Sequence, residues 1–397
     1  MTDELTGHVL GPPGARCVVV IPTYDEATNI DRVLDAVASS VPYADVLVVD
    51  DGSPDGTAAL VATRPDFGSR VHLLERTAKA GLGAAYRAGF TWALTRGYDR
   101  IAQMDADLSH PPDRLDPLFH ALDTADVAVG SRYVAGGGVR NWDWRRRLLS
   151  WGGNLYVRML LGTGVRDNTA GFKAFTRDAL AAIEVLDSES NGYSFQIENT
   201  WRAAQAGLRV TEVPITFTDR TAGTSKMSGS IAREALARVV LWRFGEVLTF
   251  LAVGGTGYVV DVVAFNFFRS LAPFANTDPA VARTLAVVVA MMITYVGNRT
   301  FTWAGSSTQD RRREIGLFVL FNVIGFGFSV VTLVISHDLL GLHSALADNL
   351  SANVVGMALG TAFRFYTYKR FVFGVGDDRD VPGGVVELDR SSHAESA

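Results

Sequence analysis

Residues 101–112 read Ile-Ala-Gln-Met-Asp-Ala-Asp-Leu-Ser-His-Pro-Pro, a short apolar run followed directly by two acids and then by two prolines. The apolar run predicts a buried strand, and the prolines prevent that strand from continuing. At a strand end, the carboxylates of Asp105 and Asp107 can bind one cation, and Mg²⁺ and Mn²⁺ prefer carboxylate oxygens. An isolated Asp-x-Asp is more often a solvated turn, so the metal-site hypothesis depends on the surrounding sequence.

Composition narrows the class of protein. The chain has 397 residues, enough for about two or three domains, and its 48% of hydrophobic residues are concentrated after residue 246. A net charge of −5 argues against a nucleic-acid binder. Cys17 is the single cysteine, so a disulfide framework is excluded, and its place at the start of an apolar run is typical of a buried core residue. Because the first sixteen residues lack an apolar stretch, we expect no signal peptide and a cytosolic amino-terminal part.

Strands and helices alternate in the first half of the chain. Apolar runs at residues 17–22, 45–49 and 71–74 predict buried strands, and helical patterns lie at 29–39 and 82–96. This alternation predicts an α/β domain with a parallel sheet, which binds ligands at the carboxyl ends of its strands. Three of those ends carry acids, and their convergence at one sheet edge predicts a nucleotide and metal site. The acids are Glu26, Asp50, Asp51, Asp105 and Asp107.

Three segments of this half, residues 21–26, 49–57 and 105–112, resemble family 2 glycosyltransferases of the GT-A fold. More narrowly, they resemble dolichol-phosphate or polyprenol-phosphate mannose synthases. The resemblance covers about residues 16–228. It continues through residues 130–133, 167–173, 192–198 and 220–226.

The resemblance implies a sugar transfer from a nucleoside diphosphate to the phosphate of a membrane-embedded polyprenol. That acceptor phosphate is already anionic, so no general base is needed. The protein must neutralise the departing diphosphate and align the acceptor with the sugar C1. By resemblance, Mg²⁺ or Mn²⁺ held by Asp105, Asp107 and Ser109 stabilises the leaving group, although Ser109 stands where many members have Gln. The implied donor ligands are Pro22, Tyr24, Glu26, Val49, Asp51, Asp105, Ala106, Asp107, Arg220 and Lys226.

Basic residues form a second group. Arg132 follows an apolar run at residues 126–130, and Arg146 and Ser150 lie four residues apart, so they share one face of a predicted helix. The resemblance implies that these three residues cradle the acceptor phosphate. The alternative is an interfacial helix whose arginines contact lipid headgroups, and the two interpretations are compatible.

A third cationic element is the segment at residues 219–229, which is small, polar and glycine-containing. This composition predicts a mobile loop. The resemblance assigns its Arg220 and Lys226 to the donor diphosphate, where loop closure excludes water from a hydrolysable sugar nucleotide. The implied catalytic set is Asp105, Asp107, Arg132, Arg220 and Lys226.

The second half of the chain has the pattern of a membrane domain. Residues 229–246 mix arginines with apolar residues and predict an interfacial amphipathic helix. Four hydrophobic stretches follow, of which the fourth is weaker because it holds Asn353 and Arg364. Basic residues flank one side of these stretches, so the positive-inside rule places both termini and the catalytic domain in the cytosol. The stretches lie at about residues 247–268, 281–298, 315–336 and 350–368.

An internal repeat is visible in the same half. Residues 298–303 and 368–373 are similar and end segments that begin near Phe250 and Phe318, which predicts two helical hairpins in the same orientation. This half is similar to the GtrA-like family of four-helix membrane proteins, which is associated with moving or presenting polyprenol-linked sugars. Asp261 lies inside the first stretch, where a buried acid indicates either function or a helix-packing hydrogen bond.

These patterns predict a flexible N-terminus (1–15), a GT-A glycosyltransferase domain (16–228), an interfacial helix (229–246), an all-α four-helix transmembrane domain (247–374) and a disordered tail (375–397). We expect an inverting, metal-dependent transferase of the dolichyl-phosphate β-D-mannosyltransferase type in the inner cell membrane. It would convert GDP-mannose and polyprenyl phosphate to polyprenyl phosphate β-mannose and GDP. Inversion is expected because one direct displacement acts on an α-linked donor.

Two alternatives stay open. The nucleoside-binding motifs do not clearly distinguish guanine from uracil. A polyprenyl-phosphate glycosyltransferase that uses UDP-glucose or another UDP-sugar is therefore also compatible with the sequence. The second alternative is a lipid-linked-sugar flippase whose soluble domain only binds. Asp105, Asp107, Arg220 and Lys226 argue for chemistry, because a mere binder needs no leaving-group machinery. The transmembrane helices also offer a surface for homo-oligomers.

Overall fold

The structure is a computed structural model that describes residues 11–12, 14–188, 190–219, 229–271, 279–304 and 310–374. The predicted disordered tail, most of the predicted flexible N-terminus, and Arg220 and Lys226 lie outside these residues. The chain divides into two compact units between Arg243 and Phe244.

The first unit alternates strands and helices. It begins with β1 (Cys17–Thr23), α1 (Ile30–Ser40), β2 (Asp45–Asp50), α2 (Thr57–Ala62), β3 (Val71–Glu75), α3 (Leu82–Thr95) and β4 (Arg100–Gln103). It continues with α4 (Leu115–Ala121), β5 (Val127–Ser131), β6 (Gly138–Arg140), α5 (Trp144–Leu161), β7 (Lys173–Thr176), α6 (Arg177–Ala182), α7 (Tyr193–Gln205), β8 (Val210–Pro214) and β9 (Thr216–Thr218). From β1 to β4, the strands and helices predicted from the sequence are present, with each end within one residue of the expected position.

Seven of these strands form one sheet in the order β3-β2-β1-β4-β7-β5-β8, and β6 pairs separately with β9. The prediction of a parallel sheet is wrong at β7, which runs antiparallel to β4 and to β5. Lys173, the first residue of β7, pairs with Gln103, the last residue of β4. The chain before β7 thus ends at the edge where β4 leaves the sheet, so β7 must run back in the opposite direction.

β1 lies between two apolar layers. Val19 and Ile21 are buried with residues of α1 on one face, whereas Val18 and Val20 are buried with residues of α3 on the other. A strand covered on both faces needs apolar side chains at every position, which explains the unbroken apolar run at residues 17–21. Burying each such side chain stabilises the fold by about 1.5–3 kcal/mol. This core fixes the strand ends that carry the acids.

The remaining elements are helices. α8 (Gly229–Ser270) is continuous over 42 residues, so the predicted interfacial helix at 229–246 is the first part of a longer helix. That this part lies at a membrane interface stays a prediction. The helices that follow are α9 (Pro279–Gly297), α10 (Arg311–Val334), α11 (Ala345–Asn349) and α12 (Met357–Thr367), with π-helical turns at Asn298–Thr302, Ile335–Leu339, Leu350–Gly356 and Tyr368–Val372.

Three helices in the described part of the chain are long and apolar enough to cross a membrane, namely Arg233–Ser270, Pro279–Thr302 and Arg311–Leu339. The fourth predicted stretch is helical as part of residues 345–372 but does not belong to this set. Its weaker apolar character was expected from its polar residues.

Ion pairs connect the two sequence repeats of the second unit. Glu246 accepts a hydrogen bond from Lys369 Nζ at 2.6 Å, and Glu314 accepts one from Arg299 Nη1 at 2.5 Å. The two glutamates begin their repeats 68 residues apart, and the two cations end them 70 residues apart. Each repeat therefore supplies the carboxylate of one pair and the cation of the other.

Aromatic side chains also make contacts between the two repeats. Trp303 and Phe373, which end the two repeats, stack with 4.8 Å between ring centroids. Phe250 of the first repeat contacts Phe365 of the second, and Tyr295 of the first contacts Phe318 of the second. These rings form the buried core of the second unit.

Asp261 forms an ion pair inside the second unit. Its Oδ2 lies 2.5 Å from Arg283 Nη1, so the pair joins α8 to α9. Asp261 is 8% exposed. The structure therefore gives this acid a helix-packing contact, one of the two alternatives that the sequence left open.

Candidate active site

A cavity of about 720 Å³ lies at the carboxyl ends of β1, β2 and β4 in the first unit. Residues predicted for the donor, the metal and the acceptor face this one space. Val49 is different, because its fully buried side chain belongs to the core beneath the sheet edge. The roles predicted for Arg220 and Lys226 fall outside the described residues. The predicted residues that line the cavity are Pro22, Tyr24, Glu26, Asp51, Asp105, Ala106, Asp107, Ser109, Arg132, Arg146 and Ser150.

The acidic loop after β4 is shaped by local hydrogen bonds. Leu108 has a left-handed conformation (φ 59°), and beyond this turn the Ser109 N–H donates to Asp107 Oδ1 at 3.0 Å. Tyr86 of α3 donates its hydroxyl to Asp105 Oδ1 at 3.2 Å. Burial, and then the Asp105 carboxylate, raise the pKa of Tyr86 well above its usual range, so the phenol remains a donor. Both carboxylates are thus held at the cavity wall.

Ser109 adds a third oxygen to this loop. The residue is buried, and its hydroxyl has no hydrogen-bond partner among the described residues. An unpaired buried hydroxyl costs about 1–3 kcal/mol, which a ligand at this oxygen would recover. Within the described ranges, no three or more His, Cys, Asp and Glu side chains gather into a metal cluster. Two carboxylates and a hydroxyl are an incomplete oxygen set that fits Mg²⁺ or Mn²⁺, since these ions also take water and substrate phosphates.

His110 supports the loop and was missed by the sequence analysis. The Asp105 backbone N–H donates to His110 Nδ1 at 3.2 Å, so the neutral ring carries its proton on Nε2. The ring stacks on Phe172 at 5.1 Å and meets Phe217 edge-on at 5.6 Å. A Cβ at Gly171 would lie 3.3 Å from the ring. His110 therefore positions Asp105 through its backbone, a role that a single histidine in a sequence does not reveal.

The two acids at the carboxyl end of β2 have different roles. Asp50 accepts hydrogen bonds from Thr23 Oγ1 at 2.9 Å, Ser53 N at 2.8 Å and Ser53 Oγ at 2.6 Å. Asp51 lines the cavity and pairs with Arg76 at 2.6 Å. Burial raises the pKa of Asp51, and Arg76 opposes that shift. Asp50 thus builds the turn, while Asp51 is the acid that a ligand can reach.

The strand end after β1 places an aromatic ring and two charges in the cavity. Glu26 Oε2 accepts from Asn29 Nδ2 at 2.9 Å. Lys79 Nζ lies over the Tyr24 ring at 3.8 Å from its centroid, a cation–π contact. Lys79 and Glu26 both line the cavity. Lys79 was not predicted, because its contact with Tyr24 depends on the packing of separate loops.

Arg132 is clamped by a buried acid. Its backbone N, Nε and Nη2 donate to Asp167 at 2.9, 2.7 and 2.6 Å, and Nη2 also donates to Thr169 Oγ1 at 2.8 Å. The side chains of Arg132 and Asp167 are 8% and 0% exposed. Glu212 Oε1 accepts from the Asp167 backbone N–H at 3.0 Å and supports the clamp. Asp167 lies in a segment that carries the family resemblance, but its role as the partner of Arg132 was not predicted.

Helix α5 presents two faces. Arg146 and Ser150 line the cavity, which agrees with their predicted common face. Arg146 Nη1 donates to Asp219 Oδ2 at 2.7 Å, and Ser150 Oγ accepts from the Tyr133 hydroxyl at 2.7 Å. Exposed apolar side chains lie elsewhere on the helix, so a lipid-facing role for α5 is compatible with a ligand-facing one. They include Trp144, Leu148, Trp151 and Met159.

A buried lysine lies behind the cavity wall. Lys173 Nζ donates to the Gln196 carbonyl at 2.7 Å and to Thr200 Oγ1 at 2.8 Å. Burial lowers the pKa of Lys173 to about 7, and Asp167 opposes this shift. Gln196 itself lines the cavity. Lys173 therefore fixes the first turns of α7 at the site, and its titration is shifted towards neutral pH.

A mixed α/β sheet with an Asp-x-Asp loop at the edge of a large cavity defines a GT-A-like domain, and apolar helices follow it. The family model "Glycosyl transferase family 2" matches residues 18–183, and the model "GtrA/DPMS, transmembrane domain" matches residues 249–373. The chain belongs to glycosyl transferase family 2 and carries a GtrA/DPMS transmembrane domain. It is therefore a glycosyltransferase and a membrane protein, and both resemblances seen in the sequence are confirmed.

Curated relatives match the chain over much of their length. It is 53% identical over 235 residues to polyprenol monophosphomannose synthase of Mycolicibacterium smegmatis, covering 58% of this chain and 88% of that protein. It is 49% identical over 227 residues to undecaprenyl-phosphate mannosyltransferase of Micrococcus luteus, covering 57% and 93%. Dolichol-phosphate mannosyltransferase of Pyrococcus furiosus is 30% identical over 367 residues, covering 87% and 96%. The third match covers enough of the chain to extend into the membrane domain.

Solved structures match less closely. Glucosyl-3-phosphoglycerate synthase from Mycobacterium tuberculosis, crystallised with Mn²⁺, uridine-diphosphate and glucosyl-3-phosphoglycerate, has 19% sequence identity and a TM-score of 0.45. That match covers 58% of this chain and 81% of the solved one.

Proposed function

We propose that this enzyme moves mannose from GDP-mannose to a polyprenyl phosphate, giving polyprenyl phosphate β-mannose and GDP. The names of the three relatives support the mannose and the polyprenyl phosphate. GDP is the nucleotide that the sequence resemblance implies. The observation that carries the proposal is one cavity whose wall includes the Asp-x-Asp loop together with Arg146 and Ser150. Such a cavity can hold a diphosphate donor beside a phosphate acceptor.

On the donor side, Asp105, Asp107 and Ser109 would hold Mg²⁺ or Mn²⁺. When bound, the ion would supply the positive charge that stabilises the departing diphosphate. Tyr86 and the backbone-bound His110 keep Asp105 in place, so little reorganisation is needed when the donor binds. The proposed nucleoside and donor contacts are Pro22, Tyr24, Glu26, Asp51 and Ala106, with Arg220 and Lys226 on the diphosphate. Val49 would contribute only through its backbone, because its side chain is buried in the core.

On the acceptor side, Arg132, Arg146 and Ser150 would hold the phosphate. One phosphate oxygen forms a bond to the mannose C1 as the bond from C1 to the donor's β-phosphate oxygen breaks, and GDP leaves with that electron pair. No proton moves, because the attacking phosphate is already an anion. The catalytic demand is therefore placement and charge stabilisation, which the clamped guanidinium of Arg132 serves by keeping one orientation.

We place this reaction on the cytosolic face of the cell membrane. The positive-inside distribution of arginines and lysines supports this orientation, and four membrane crossings follow from the four hydrophobic stretches. The exposed tryptophans of α5 support contact with a membrane interface. Self-association through the transmembrane helices is part of the same proposal.

The test is a donor panel with purified full-length protein in detergent. GDP-mannose, UDP-glucose and UDP-galactose, each radiolabelled in the sugar, are incubated with polyprenyl phosphate and Mn²⁺ or Mg²⁺. We expect labelled lipid from GDP-mannose, loss of labelling with a chelator, and a β linkage by NMR. Transfer from a UDP-sugar, with none from GDP-mannose, would show that the proposed donor is wrong. If no donor gives a lipid product, while reconstituted vesicles translocate a lipid-linked sugar, the transferase proposal is wrong.

A further inference from the structure

We propose that Asp219 is a displaceable counter-anion that makes the acceptor site selective for a phosphate monoester over membrane phosphodiesters. This inference rests on the proposed function. Asp219 Oδ2 accepts from Arg146 Nη1 at 2.7 Å, in the place where the acceptor phosphate is expected. The two side chains are 30% and 33% exposed, and both residues line the cavity. An incoming anion can therefore reach this contact and compete for it.

The guanidinium of Arg146 is held without help from Asp219. Its Cζ lies 4.3 Å from the centroid of the Trp142 ring, and Trp142 is 8% exposed and packs edge-on against Phe217 at 5.5 Å. The Arg146 backbone N–H donates to the helix-capping side chain of Asp143 at 2.8 Å. A ligand that displaces Asp219 thus meets an arginine already in position, which lowers the entropic cost of binding.

The position of Asp219 is also set by the fold. It follows β9, which pairs with β6, and the Thr218 backbone N–H donates to the Ser109 carbonyl at 3.3 Å. Phe217 of the same strand packs on His110. Asp219 is therefore carried by a strand fixed to the acidic loop, so its contact with Arg146 is a built feature of the cavity.

The second arginine of the site has a different kind of partner. Asp167, which holds Arg132, is 0% exposed at its side chain and makes three hydrogen bonds to that arginine. A ligand cannot reach or replace that carboxylate. Of the pairs made by the two arginines predicted for the acceptor, the Arg146 pair is therefore the one open to exchange.

Charge then decides which lipid displaces Asp219. A phosphate monoester carries about −1.5 to −2 charges near neutral pH and three acceptor oxygens, so it is a stronger partner for arginine than one carboxylate. A phosphodiester headgroup carries a single charge, as a carboxylate does, and gains no charge advantage from the exchange. Polyprenyl phosphate is scarce among many phosphodiester lipids, so a carboxylate on Arg146 removes most competitors at little cost to the acceptor.

The test compares Asp219→Asn and Asp219→Ala with full-length wild type in detergent. Asp178→Asn on α6, where the carboxylate is exposed and outside the cavity lining, is the control for the change in charge. Polyprenyl phosphate affinity is measured by calorimetry without donor, and acceptor KM by mannosyl transfer. Both are repeated in phosphatidylcholine micelles with and without phosphatidylglycerol.

We expect both Asp219 variants to bind polyprenyl phosphate about two- to fivefold more tightly, the range expected for release of a solvent-exposed ion pair. They should also gain inhibition by phosphatidylglycerol, which wild type and Asp178→Asn lack. Weaker acceptor binding, or no gain of phosphatidylglycerol inhibition, would overturn the inference, since a merely structural Asp219 predicts exactly that loss of affinity. Failure of the proposed function is separate, because it appears in wild type as absent transfer or absent acceptor binding.

Discussion

The two units use the same kinds of charged side chain in opposite ways. In the first unit, Asp105, Asp107 and Arg146 line a cavity, where their charges can meet a ligand. In the second unit, Glu314 and Arg299 meet each other at 2.5 Å, with the Glu314 side chain 0% exposed. In the proposed function, the charges that line the cavity contact the substrate, whereas the Glu314–Arg299 pair joins helices of the second unit. Substitutions in the first unit should therefore change activity, and those in the second should change stability.

The largest expected effect is on activity in the first unit. Asp107→Ala should reduce mannosyl transfer by about 100-fold or more, because the diphosphate leaving group loses charge stabilisation. The thermal midpoint should fall only slightly, since the folded core loses one local hydrogen bond, from the Ser109 N–H to Asp107. Turnover with Mn²⁺ and calorimetric unfolding are measured on the same samples. Near-normal turnover by a folded Asp107→Ala protein would contradict the metal assignment.

The matching change in the second unit is Glu314→Ala. It removes the partner of Arg299 and the acceptor of the Tyr295 hydroxyl, so the free energy of unfolding should fall by about 3–5 kcal/mol. GDP binding with Mn²⁺ should be unchanged. Unfolding in detergent and nucleotide calorimetry separate the two effects. The exposed Glu234→Ala serves as the control, and equal stability of the two variants would break the proposed contrast between units.

Arg146→Ala should have a smaller and more selective effect. A charge-assisted hydrogen bond to phosphate contributes about 1.5–3 kcal/mol, so acceptor KM should rise about tenfold or more. The KM for GDP-mannose should remain near its wild-type value, because the proposed function assigns Arg146 to the acceptor phosphate and not to the donor. Steady-state kinetics with each substrate varied in turn provide the measurement. A change confined to the donor KM would move the acceptor site to other residues.

The smallest expected effect concerns the buried lysine. The pKa of Lys173 is lowered from 10.5 to about 7, so between these values the unfolded chain binds a proton that the folded protein does not. Burying the charged lysine destabilises the folded protein fully below pH 7. This cost is relieved as pH rises from about 7 towards 10.5, so the stability of the protein increases over that range. Lys173→Met should flatten the rise of the thermal midpoint between pH 6.5 and 9. An identical pH dependence in the variant and wild type would contradict the shifted titration.

Local patterns in the sequence were enough to predict much of the first unit. β1 and β2 were found because strands covered on both faces are mostly apolar, and Asp105 and Asp107 were found because they follow the short strand β4. The antiparallel direction of β7 was missed, since it depends on where the preceding loop meets the sheet. Asp167 and Asp219 were also missed as partners, because they lie 35 and 73 residues from their arginines.

In the second unit, too, local features were predictable from the sequence and long-range contacts were not. The repeat and its apolar stretches were visible, because composition and spacing are properties of the sequence alone. Which carboxylate meets which cation was not visible, since Glu246 reaches Lys369 across 123 residues rather than the cation of its own repeat. Long-range pairing follows from how helices pack, and a repeat by itself is compatible with pairing inside each hairpin or between hairpins.

That exchange of partners has a consequence for how the second unit is built. The glutamate at the start of each hairpin and the cation at its end are both paired with the other hairpin, so each hairpin gives its acid to the other's base. The two hairpins thus pair in the manner of an isologous interface, in which the same kind of contact is made in both directions, although both hairpins belong to one chain. The correspondence is incomplete elsewhere: the first half has the ion-paired Asp261 and Arg283, where offsets of 68 and 70 residues place Ser329 and Asn353 in the second half.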